Sequence, residues 1–178
     1  MLIAAITPTA NPDPWRWQPH PEVWLLVIGL VAAFVYMIKV VGPQAAPEGK
    51  IISRKQIWIF TLMITLLWLA SDWPMHDIAE EYLYSMHMVQ HMILSYFVPP
   101  LALLATPEWL FRLLVGQGKV YKVLRFLSRP PVAAVTFNAM VMFTHIPGVV
   151  NRSAGGGPLH YSVHVLVVTI SLTFWIGI

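Results

Sequence analysis

The sequence predicts an all-α fold, a polytopic transmembrane helix bundle with at least five spans and its N-terminus outside. Three observations predict it. Of 178 residues, 57% are hydrophobic and only 11% are charged, with a mean hydropathy of +0.66. An ordinary soluble domain carries roughly 25% charged residues, so this chain has too little polar surface to face water on all sides. The apolar residues fall in five long runs that are continuous rather than alternating, which favours helices over barrel strands.

Crossing a hydrocarbon layer roughly 30 Å thick takes about 20 apolar residues as a helix. The expected spans are about 23–41, 57–73, 82–105, 132–146 and 161–178, forming one domain over 1–178. Gly42-Pro43 stops the first, and Trp58, Trp68 and Trp73 flank the second as interfacial tryptophans do. Pro99-Pro100 is expected to kink or end the third near its inner end. The N-terminal segment lacks a basic stretch followed by a cleavage site, so the first span is expected to act as its own insertion signal. The fifth run reaches Ile178 without a basic or polar anchor, which on sequence grounds suggests a chain cut short.

Basic residues set the orientation. Lys39, Lys50, Arg54 and Lys55 lie at the connection of spans 1 and 2. Arg112, Lys119, Lys122, Arg125 and Arg129 lie between spans 3 and 4. Nine of the eleven basic residues therefore fall on one side, which the positive-inside rule makes cytoplasmic. They read as topology determinants near anionic membrane lipid, not as nucleic-acid contacts, and the implied location is a bacterial plasma (inner) membrane, multi-pass. The loop carrying the second group has two apolar stripes, Trp109, Leu110, Leu113, Leu114 and Val120, Tyr121, Leu124, Leu127. Two short amphipathic helices on the inner surface fit that pattern.

All seven histidines then fall on the outer side: His20, His76, His87, His91, His145, His160 and His164. His87–His91 and His160–His164 are four apart, sharing a helix face at about 6 Å along the axis. His145, ending span 4, can face them at the same depth. Met75, Met86, Met88, Met92, Met140 and Met142 neighbour these histidines in sequence, and there is no cysteine. Thioether and imidazole without thiolate select copper, as Cu+, among biological metals. The candidate metal ligands are His87, His91, His145, His160, His164 and His76, with Met88 or Met92 as soft auxiliaries.

Plainer readings stand beside these. A single histidine at a membrane interface is commonly an amphipathic anchor, which is the expectation for His20. Methionine at helical spacing is commonly packing. Asp72, Asp77, Glu80 and Glu81 read most simply as a solvated outer loop, with cation attraction as the alternative. Ionisable groups inside a span are costly and mark function, which favours the two histidine pairs. In His87-Met88-Val89-Gln90-His91, Met88 stands where a helical zinc protease has its catalytic glutamate, so a hydrolase reading is weak.

The stretch Ser85-Met86-His87-Met88-Val89-Gln90-His91-Met92-Ile93-Leu94, with Pro99-Pro100-Leu101 and Thr106-Pro107, resembles the signature of the polytopic CtaG family of cytochrome c oxidase assembly factors, of the kind associated with caa3-type oxidases. Thr144-His145-Ile146-Pro147 and His160, His164, Phe174 and Trp175 extend the resemblance from about Ser71 onward. It implies about seven spans where five are visible. It also implies a non-enzymatic role in maturing the oxidase by supplying copper, with terminal oxidase subunits as partners.

The expected function is thus an oxidase assembly factor that binds copper at the outer membrane face and delivers it. Imidazole ligates only when neutral, so affinity should fall as pH drops below about 6.5. The alternative is an electron-transfer subunit holding haem b between two histidines, His87 or His91 opposite His145 or His164. A transporter is weaker, because polar residues do not continue to the inner side. The oligomeric state is left open.

Overall fold

The structure, a computed structural model, describes residues 13, 15–46, 51–116, 118–153 and 158–177, except the side chains at 81, 151, 153 and 158–161. Among the described residues it is all helical. We number the helices α1 (Pro21–Ala45), α2 (Arg54–Ser71), α3 (Met75–Glu81), α4 (Tyr84–Ala105) and α5 (Glu108–Val115). They continue as α6 (Lys119–Leu127), α7 (Pro130–Thr144), α8 (Pro147–Ser153) and α9 (Pro158–Ile176). Two of them, α1 and α4, are long and apolar enough to cross a membrane. Helix α7 has 15 residues, a length of about 22 Å at 1.5 Å per residue.

Local chemistry sets the helix ends. Pro21 and Pro130 occupy the first turns of α1 and α7, where no N–H is needed. A capping box starts α2: Ser53 Oγ accepts from the Gln56 N–H, and Gln56 Oε1 accepts from the Ser53 N–H. Thr106, extended ahead of Pro107, ends α4. The helix α2 stops at Ser71, not at 73, leaving Asp72 as its C-terminal cap in the following loop. The two amphipathic helices expected between spans 3 and 4 are present as α5 and α6. In α5, Trp109 and Leu110 are buried, whereas α6 buries no residue. Trp109 lies against Gly42, where an added Cβ would come within 2.7 Å of Ile51, and its indole donates to the Ile51 carbonyl at 2.8 Å.

Pro99-Pro100 does not end its helix. A wide π-type turn over Ile93–Phe97 precedes the prolines, which then occupy the first turn of the renewed α-helix through Ala105. Pro99 has no N–H to donate to the carbonyl of Ser95, four residues earlier, and Ser95 is buried. The indole of Trp175, on α9, donates to that carbonyl at 3.0 Å. The gap left by a proline in α4 is thus filled from α9. Trp175→Phe leaves a buried carbonyl unpaired and is expected to cost about 1–3 kcal/mol, read as a lowered midpoint of thermal unfolding in detergent.

Helix α4 sits at the centre. Its Leu94 and Val98 pack with Met63, Leu67 and Ala70 of α2, and Val168 of α9 closes that cluster. Phe137 and Met140 of α7 pack with Val167 of α9, flanked by Phe174. Helix α1 lies to one side, stacked through Phe34 on Phe60 of α2 at 3.7 Å between centroids. Much of the remaining surface is apolar, including Leu25, Ile28, Trp58, Leu104, Val135 and Val165. Exposure of this extent marks a surface that faces lipid or partner helices.

Candidate metal-handling site

The starts of α1, α4 and α9 and the ends of α2 and α7 come together at one end of the bundle. Six histidines meet there. His91 is the hub: its ring centroid lies 4.4 Å from His87, 5.4 Å from His164 and 6.0 Å from His145. These rings come from α4, α9 and the cap of α7. A second limb runs from His164 to His76 at 6.2 Å, and from His76 to His20 at 5.1 Å. The side chain of His160 lies outside the described residues.

The hydrogen bonds divide the cluster into two kinds of histidine. His87 Nδ1 lies 2.9 Å from Glu80 Oε1, so this nitrogen donates to the carboxylate and Nε2 carries the lone pair. That Nε2 faces Nε2 of His91 at 2.9 Å. His145 likewise turns Nδ1 to the Val141 carbonyl at 2.7 Å, which leaves its Nε2 as acceptor. A carboxylate or carbonyl behind the far nitrogen is the usual support of a metal-ligating imidazole. His87 and His145 therefore present an Nε2 lone pair suited to a metal ion, while His91, whose Nε2 donates to that of His87, would give up this proton on binding one. Among the described residues, no three histidine or acidic side chains are yet gathered closely enough to hold one. At about 2.0 Å per metal–nitrogen bond, two nitrogens around one ion stand about 3.3 Å apart or more, so the His87–His91 pair would need to open by only a few tenths of an ångström.

His20 and His76 are held differently. His20 is buried, with Nδ1 3.3 Å from Asp72 and Nε2 3.1 Å from Asp77, so both nitrogens face carboxylates. The interfacial-anchor reading of His20 is thereby corrected. Gln90 is fully buried; its amide N–H groups donate to the Ala70 carbonyl at 2.8 Å and to His76 Nδ1 at 3.0 Å.

The acidic loop is not simply solvated, because Asp72 and Asp77 are 7% and 5% exposed. Asp72 Oδ2 accepts the indole N–H groups of Trp24 at 2.8 Å and Trp68 at 2.7 Å, and Oδ1 accepts the Trp73 N–H at 2.9 Å. Burial alone would raise this carboxyl. The donors from Trp24, the Trp73 backbone, Trp68 and His20 outweigh it and hold the group below the usual carboxylate range.

The methionines are dispersed. Met140 is buried against Phe137, and Met75 packs on the α2–α4 cluster, both as core. Met92 and Met142 are 54% and 74% exposed. Met88 and Met92 lie about 100° round α4 from the His87–His91 face.

Asp72, Asp77, Glu80 and Gln90 were not singled out from sequence as partners of the histidines. Gln90 did carry a signal, since a polar amide inside an apolar span needs a partner.

Fold and site together define an all-helical bundle with apolar, membrane-length helices and a histidine-lined end. The model of the family described as cytochrome c oxidase caa3 assembly factor (Caa3_CtaG) matches residues 32–178, and the chain belongs to that family. No curated protein and no solved structure matches the chain. The family match takes in α2 to α9 and most of α1, but begins after His20 and Trp24, two partners of Asp72.

Proposed function

We propose that this chain is a multi-pass plasma-membrane protein that takes part, without catalysing a reaction, in assembling a caa3-type cytochrome c oxidase. It does so by holding copper as cargo at the histidine end. His87, His91 and His145 are the primary ligands and His164 completes the set, with His160 beside it in sequence. Helices α1, α2, α4, α7 and α9 are the five spans, with the histidine end outside and the basic loops inside. Copper would pass from this end to the oxidase subunit in the same membrane.

The observation that carries this reading is the convergence on His91 of rings from two other helical elements, beside its own helical neighbour His87. The supports behind His87 and His145 add to it. The dispersal of the methionines moves the weight from thioether to imidazole, with Met88 and Met92 kept for transfer.

The test is copper analysis of the purified chain beside a His87→Ala/His91→Ala double variant. The double variant is expected to retain less than a tenth of the copper; equal content would remove the site. An optical difference spectrum on the same samples, reduced minus oxidised, is expected to show no Soret band. A Soret band lost in the double variant would favour haem b instead.

A further inference from the structure

A groove far from the histidines separates α1 from α2 toward their basic ends. Its volume is about 450 Å³, and Val31, Val35 and Ile38 line one wall while Ile57 and Ile64 line the other, above the Phe34–Phe60 stack. Thr61 and Thr65 also line it, but their hydroxyls donate to the Ile57 and Thr61 carbonyls of their own helix, so they add little free polarity. One charged side chain lines the groove, that of Lys39, on the π-type turn Met37–Val41.

Among the described residues the charge at that mouth is unbalanced. Arg54 and Lys55 begin α2 beside Ile52 and Ile57, two lining residues. None of Lys39, Arg54 and Lys55 has an ion-pair partner among the described residues. The acidic residue near this end, Glu108, is already paired with Arg112 at 2.6 Å. Glu48 and Lys50, in the intervening segment, lie outside the described residues. An apolar slot with open cations at its rim is complementary to an acyl chain joined to an anionic headgroup.

We propose that this groove is a binding site for one anionic phospholipid of the inner leaflet. An acyl chain fills the slot between α1 and α2, and the headgroup phosphate rests on Lys39 with Arg54 and Lys55. The lipid would hold α1 against α2 along a stretch where protein contacts are few, since only 6% of the apolar window of α1 is buried. This inference rests on the membrane orientation proposed above and is independent of copper.

The test is native mass spectrometry of the full chain, taken from detergent micelles holding equal amounts of phosphatidylglycerol and phosphatidylcholine with identical acyl chains. The wild type is expected to retain phosphatidylglycerol over phosphatidylcholine by about fivefold or more, the effect of a basic residue at a membrane surface. Lys39→Gln should reduce that preference several-fold, and Val35→Trp, which fills the slot, should reduce retention of both lipids. Equal retention of the two lipids, or a preference unchanged in Lys39→Gln, would overturn the proposal. So would a cross-link at position 35 to a second copy or to a partner helix occupying the groove. Alkaline extraction of membranes separates the two levels of the argument. A chain released by alkali contradicts the membrane orientation itself, whereas an integral chain without lipid selection contradicts only the groove's ligand.

Discussion

Replacing Asp72 with alanine is expected to destabilise the protein by about 3–5 kcal/mol, the range for removing one partner from a buried charged network. Four donors depend on this carboxylate, and they come from α1, α2, the Trp73 backbone and the His20 cap. Alanine would leave two indole N–H groups and a backbone N–H without this acceptor, and would leave His20 with Asp77 as its one remaining carboxylate. Asp72→Asn would not be silent either, because the amide N–H groups it introduces would face donors. The measurement is urea unfolding in mild detergent, with Glu108→Ala as control. The Glu108–Arg112 pair is exposed on a single helix and should contribute nothing measurable.

The same carboxylate makes a pH prediction. The folded-state pKa of Asp72 is lowered, so its contribution to stability is fully present above the unfolded value of about 3.9. It is lost as pH falls through the folded value, when the protonated acid no longer holds its donors. Wild-type stability should therefore decline on acidification below about pH 4, more steeply than that of Asp72→Ala. Parallel acid limbs for the two proteins would contradict the role given to Asp72.

The second large effect concerns His91. His91→Ala is expected to lower retained Cu+ at least tenfold, because the other rings of the cluster meet through it. His145→Ala should lower it less, by severalfold. His20→Ala should leave stoichiometry unchanged, since both nitrogens of His20 already face Asp72 and Asp77. Competition with a chromophoric Cu+ chelator measures all three. A His20→Ala loss as large as that of His91→Ala would contradict the division of the cluster into metal-ligating and carboxylate-held histidines.

Much of the bundle was legible in the chain because continuous apolar runs and amphipathic stripes are local signals. The amphipathic pair α5 and α6 followed from spacing alone. Pro99-Pro100 interrupts the regular α-helix without ending it, for a non-local reason: the carbonyl freed by Pro99 is satisfied by Trp175, eighty residues on. The histidine end was half legible. The i,i+4 pair His87–His91 and the level of His145 follow from helical period and span order. The Asp72–His20 contact joins residues 52 apart, and no local pattern announces it. Nor does proximity in sequence report direction, as Met140 shows: little more than one turn before His145, it nevertheless points into the core with Phe137.

The central claim is that imidazoles from separate helices gather around one copper ion at this end of the bundle. X-ray absorption at the copper edge, on the full chain loaded with one equivalent of Cu+, tests it most directly. The account predicts a first shell of two to four nitrogens at about 2.0 Å, with the outer-ring scattering characteristic of imidazole, lost in His87→Ala/His91→Ala. A shell dominated by sulfur at about 2.3 Å, or a nitrogen shell unchanged in the double variant, would contradict it.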